Sequence, residues 1–179
     1  METLVNSASP IVEYPDFRLR APSSPVVDFG SNLSLLIERL KDTHAAAGGI
    51  GLCAPQLGIA QRLILVNVDG DDYGSSTYVN PEIVSRAGLG VVEESCLSLP
   101  GILGKVLRAA AVRVRAQDER GNVFERDVSG LHAVCIQHEI DHLNGKLFID
   151  RLFWFQKFRI RKLVRQLEDS ARELASSAA

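Results

Sequence analysis

Two apolar spacings alternate along the chain, and the changes between them mark out its elements. Between residues 32 and 47, Leu33, Leu36, Ile37 and Leu40 recur at helical intervals. This predicts a helix that Ser31 or Asn32 can cap and Gly48-Gly49 can end. Residues 50–61 (IGLCAPQLGIAQ) are broken by Gly and Pro and read as a loop. Residues 62–68 (RLILVNV) form an apolar, β-branched run, the mark of a buried strand. Asp69-Gly70-Asp71-Asp72 is a turn, and TYVNPEIV and GLGVVEE are further strands. LRAAAVRVRAQ reads as one half-buried strand, alternating at Val112 and Val114. Glu119-Arg120-Gly121-Asn122 turns the chain, and VFERDV pairs back.

Helical spacing then returns from Gly130 to Leu143, with Asp127 or Ser129 as cap and Asn144-Gly145 as a left-handed stop. A last helix, from about residue 153 to 175, carries Phe155, Phe158, Ile160, Leu163 and Leu167 as its apolar stripe and an Arg/Lys-rich opposite face. Residues 1–28 are rich in Pro and Ser and predict an irregular lead-in. Short strands run consecutively before the main helix, without βαβ alternation. The expected class is therefore α+β: antiparallel β-sheets packed around a central helix, with an N-terminal and a C-terminal helix. A chain of 179 residues suits one domain over 1–179, with 1–10 and 172–179 expected to fray.

Composition narrows the function classes. A net charge of −2 offers no basic footprint, so no direct nucleic-acid binding is expected. No run approaches the ~18 apolar residues of a membrane span. The first residues lack the basic-then-apolar pattern of a secretion leader, so a cytoplasmic protein is expected. Without such a leader, Cys53, Cys96 and Cys135 read as buried residues, ligands or nucleophiles rather than a disulfide framework.

The chemistry concentrates in the central helix, where His138-Glu139-Ile140-Asp141-His142 forms His-Glu-x-x-His. Two histidines four apart share a helix face and can reach one cation. Glu139 adjoins the first of them and can serve as base toward a water activated by that cation. Burying these groups without a shared ligand would leave charge unpaired, at a cost on the order of several kcal/mol. A catalytic metal site usually takes three protein ligands and keeps one place open. Glu168 in the last helix and Cys96 just after a strand are the candidates for the third. A fourth ligand closing the site as a structural one could come only from His132 or Cys135 nearby.

With these residues in hand, the chain resembles the peptide deformylases. The family's Gly-x-Gly-x-Ala-Ala-Pro-Gln is present as Gly49-Ile50-Gly51-Leu52-Cys53-Ala54-Pro55-Gln56, and its Glu-Gly-Cys-Leu-Ser as Glu94-Ser95-Cys96-Leu97-Ser98. Its Gln-His-Glu-x-Asp-His-Leu-x-Gly is intact at 137–145. The resemblance spans about residues 5–165. It implies removal of the formyl group from the N-terminal formylmethionine of nascent polypeptides, possible at the ribosome, with release of formate. It implies Cys96, His138 and His142 as ligands of one divalent metal, natively Fe(II), with Zn(II), Ni(II) or Co(II) able to substitute. The ligand types alone would suggest zinc. It implies Glu139 as the proton carrier, with Gln56 and the Leu97 N–H stabilising the oxyanion and Gly51 making room for substrate. Ile50, Val92, Leu131, Val134 and Cys135 would line the methionine pocket.

Three positions depart from the pattern. Cys53 stands for Ala, Ser95 for Gly, and Leu103 where many members carry Arg or another polar residue. These departures raise an alternative: a paralogue acting on a different N-formyl or N-acyl compound, or one with little activity. Asp141 is a candidate for orienting a ligand histidine, and Glu94 and Arg108 for pairing beside the site.

Overall fold

A computed structural model describes residues 10–68 and 74–177, so the expected turn at 69–72 and most of the expected N-terminal fraying lie outside the described residues. The elements run α1 (Ser31–Ala47), β1 (Gly51–Cys53), β2 (Leu63–Val66), β3 (Ser76–Ala87), β4 (Gly90–Glu94), β5 (Gly104–Arg108), β6 (Ala111–Gln117), β7 (Val123–Ser129), α2 (Gly130–Leu143) and α3 (Trp154–Ser177). Two antiparallel sheets result: five strands in the order β1-β2-β3-β6-β7, and the two-stranded β4-β5. No described helix is long and apolar enough to cross a membrane.

The apolar run of β2 follows from its place between two layers. Alternate residues of a strand face opposite sides. Leu63 and Leu65 pack with Leu33, Leu36, Ile37 and Leu40 of α1. Ile64 and Val66 pack on the other side with Ala133, Ile136, Ile140 and Leu143 of α2. Every β2 position is therefore buried, and no polar position interrupts it. A third apolar cluster gathers Cys96, Leu99, Ile102, Val106, Phe148 and Leu152 beneath α3.

The expected loop at 50–61 contains the short strand β1, paired with β2, followed by a 3-10 turn at Ala54–Leu57. Three residues are too few for periodicity to reveal. The expected single strand LRAAAVRVRAQ is two strands. Gln137 explains the break: its side chain accepts from the Ala109 N–H and donates to the Ala109 carbonyl, both at 3.0 Å. Those are the groups a continuing ladder would have used.

Helix α2 has the expected bounds but not the expected cap. Ser129 makes no side-chain capping bond, and Asp127 pairs with Arg113 instead. Nor do Ser31 and Asn32 cap α1, whose N-cap is Gly30, without a side-chain cap bond. On α3 the docked face is Ile160, Val164 and Leu167, while Phe158 and Leu163 of the expected stripe are exposed. Gly145 closes α2 at φ +68°, where a Cβ would also collide with the Arg20 carbonyl.

Candidate active site

One stripe of α2 builds most of the site. Leu131, Val134, Cys135, His138 and Glu139 follow helical spacing, and together they line a cavity of about 470 Å³. β1 and the residues before it contribute Gly49, Ile50 and Gly51. The end of β4 and the following turn contribute Glu93, Glu94, Ser95, Cys96 and Leu97. His142 lies one turn beyond His138, fully buried behind the wall. The site thus joins three segments that are distant in sequence.

Ligand atoms of Cys96, His138 and His142 all lie within 4.8 Å of one another. Cys96 Sγ is 3.2 Å from His142 Nε2. Glu168 is elsewhere: it accepts from the Tyr14 hydroxyl at 2.7 Å on α3, which removes it as third ligand. Neither proposed closing ligand joins the set. His132 bonds the Tyr78 hydroxyl at 2.9 Å, and Cys135 donates to the Ile50 carbonyl at 3.3 Å.

His138 is aimed from behind. Its Nδ1–H donates to Glu94 Oε2 at 2.9 Å, which turns Nε2 toward Cys96 and His142. Arg108 donates to both oxygens of Glu94, at 2.6 and 2.9 Å, and to Asp141 at 2.6 Å. Asp141 also pairs with Arg151. The role considered for Asp141, orienting a histidine, therefore falls to Glu94, while Asp141 holds the arginines. The pairing considered for Glu94 and Arg108 is present. Spacing gave no signal for Arg151.

Burial and close pairing shift the groups at this point in opposite directions. Burial alone would raise the Glu94 carboxyl, but Arg108 and His138 overcome it and hold Glu94 at about 2. Burial works against a charged His138, yet its bonds to Cys96 and Glu94 raise it to about 10. For His142, burial and the nearby His138 and Arg108 charges act together and push the imidazole well below its usual value, toward the neutral, ligating form. Burial raises Glu139 above the ordinary carboxyl range. Glu139 Oε2 and His142 Nδ1 are buried without hydrogen-bond partners among the described residues. A sulfur and two imidazoles around one point, beside an unbonded carboxylate oxygen, fit a divalent transition metal with a place left for substrate.

The family model described as polypeptide deformylase matches residues 8–157. The chain belongs to the peptide deformylase family. It is 42% identical to a peptide deformylase of Chromobacterium violaceum over 158 residues, covering 88% of this chain and 95% of that one. A Legionella pneumophila peptide deformylase structure matches with TM-score 0.82 and 43% identity, over 94% of this chain and 98% of that chain. A plant peptide deformylase structure matches with TM-score 0.89 and 37% identity, over 94% and 93%. The findings support the deformylase reading and not the paralogue with another substrate.

Several positions of this deformylase behave differently from expectation. Val92 is off the cavity wall: it sits half-buried opposite Val106, on the same strand face as Glu94 but about 7 Å further along. Gly51 makes room chiefly within the protein, because a Cβ there would collide with Cys135 Sγ and lie 2.7 Å from Glu139 Oε1. Ser95 is not strained, since Asn80 is the only non-glycine residue with positive φ among those described. Leu103 is exposed and does not line the cavity. Ser98 was not foreseen: its hydroxyl accepts from Gln56 Nε2 at 3.2 Å.

Proposed function

We propose that this deformylase removes the N-formyl group from formylmethionyl peptides with Cys96, His138 and His142 as metal ligands and Glu139 as the proton carrier. The observation that carries this assignment is the convergence of those three ligands, two on the cavity wall and His142 just behind it, beside a Glu139 that keeps an unbonded oxygen. When bound, a divalent cation supplies Lewis acidity, polarising the formyl carbonyl and lowering the pKa of water. We infer Fe(II) as the native metal, with Zn(II), Ni(II) or Co(II) able to replace it. The family resemblance supports iron, while the donor set suits zinc as well.

Glu139 takes a proton from the attacking water, and the hydroxide adds to the formyl carbon. The Gln56 amide and the Leu97 N–H stabilise the oxyanion. Glu139 then hands its proton to the departing amine as the carbon–nitrogen bond breaks, leaving formate and a free N-terminus. A carboxyl raised by burial holds a proton more readily than an ordinary one, which suits a group that accepts a proton and returns it. The methionine side chain packs against Ile50, Leu131, Val134 and Cys135, an apolar wall suited to a thioether. Nascent chains leaving a cytoplasmic ribosome are the substrate source this reading names.

Metal content and formate release from a formyl-Met-Ala-Ser peptide, measured together, test the assignment. Glu139→Ala should keep its metal and lose at least about a hundredfold in turnover. Wild-type turnover in that variant would refute the assignment of Glu139.

A further inference from the structure

The departure at position 53 has a structural consequence. Cys53 ends β1 with no solvent exposure. Its backbone N–H donates to Gln56 Oε1 at 3.0 Å, and its Sγ lies 3.2 Å from the same oxygen. The other end of that amide is held too: Gln56 Nε2 donates to Ser98 Oγ at 3.2 Å and lies 3.8 Å from Cys96 Sγ. Cys53 Sγ is also within 4.8 Å of a Glu139 carboxylate oxygen and within hydrogen-bonding reach of that carboxyl, so the one thiol proton has two acceptors, Gln56 Oε1 and Glu139, and the double variant below separates them.

A glutamine amide has two ends of nearly equal size, one an acceptor and the other a double donor. Reversing it at Gln56 would aim an oxygen at the developing oxyanion and set the NH2 group against the Cys53 N–H. The backbone donor resists that reversal by itself. A thiol donor on the same carbonyl oxygen resists it further and fills the oxygen's second lone pair. We propose that Cys53 is a positioning residue whose S–H fixes the Gln56 amide with its N–H toward the reacting carbonyl. The inference rests on the oxyanion role given to Gln56 above. An alanine at this position leaves the backbone N–H as the only donor from residue 53.

The test compares metal-loaded wild type, Cys53→Ala, Cys53→Ser, Gln56→Ala and Cys53→Ala/Gln56→Ala on a formyl-Met peptide. The readouts are kcat, KM and the thermal midpoint. Cys53→Ala should lower kcat by about three- to tenfold and leave KM within about twofold, the scale of one lost hydrogen bond. Cys53→Ser keeps a donor and should recover most of the kcat. A packing role predicts the reverse order, since a buried hydroxyl replaces apolar sulfur less well than a methyl does, so Ser would be no better than Ala in both kcat and midpoint. In the Gln56→Ala background, removing the thiol should change kcat by less than about twofold, because the group it positions is gone. The proposal is overturned if Cys53→Ala retains wild-type kcat, if Ser does not rescue, or if the loss persists in full without Gln56. Wild-type turnover in Gln56→Ala would overturn the oxyanion assignment itself, and the Cys53 inference with it.

Discussion

Glu94 offers the sharpest test of how the metal centre is supported. Glu94→Gln keeps the side chain's shape but removes its charge and replaces one acceptor by a donor. In the native protein both carboxylate oxygens accept from Arg108, and one also accepts from His138 Nδ1–H. An amide cannot satisfy all three donors, so an N–H must face either the guanidinium or the imidazole. The folded Glu94 sits at about 2, below its ordinary 4.5. At about 1.4 kcal/mol per unit, that difference corresponds to about 3 kcal/mol of stability above pH 4.5. Because the folded value is the lower one, the unfolded chain binds this proton more readily. The contribution is complete above about 4.5 and is lost as pH falls toward about 2. Urea denaturation of the metal-free protein should show Glu94→Gln destabilised by about 3 kcal/mol at neutral pH, with a shallower loss of stability in acid than wild type. Competition against a chelator should show metal affinity weakened by about 10- to 100-fold, since His138 loses the partner that aims it. An unchanged urea midpoint together with unchanged metal affinity would refute the reasoning.

Three further outcomes follow from the same geometry. Gly51→Ala puts a methyl against Glu139 and Cys135, so kcat in a steady-state formate assay should fall about a hundredfold, while the far-ultraviolet circular dichroism stays native. Gly145→Ala meets a left-handed φ of +68° and the Arg20 carbonyl, and should cost about 2 kcal/mol or more, seen calorimetrically as a lower Tm of about 4 °C or more. Glu168→Gln should leave metal content unchanged by elemental analysis, because Glu168 bonds Tyr14 away from the cluster, whereas Cys96→Ala should abolish metal binding.

What could be read from the amino-acid order alone was whatever a local period encodes. Four-residue spacing puts His138 and His142 on one side of α2, and an unbroken apolar run makes β2 a buried strand, wherever those elements dock. Cys96 was one of two candidates by donor type, and only the motif resemblance set it above Glu168, because no spacing rule connects a turn residue to a helix histidine 42 residues later. Packing alone decided the rest. Glu94, not Asp141, orients His138, because β4 delivers its carboxylate to Nδ1 while Arg108 and Arg151 claim Asp141. Val92 has the right chemistry for the pocket, yet its strand carries it past the wall. Ile160 and Val164 of α3 are covered and Phe158 is not, because only one side of that helix meets the core. Local order sets which way a side chain points along its own element. Which partner it meets depends on the docking of elements far apart in the chain, and only the tertiary structure holds that information.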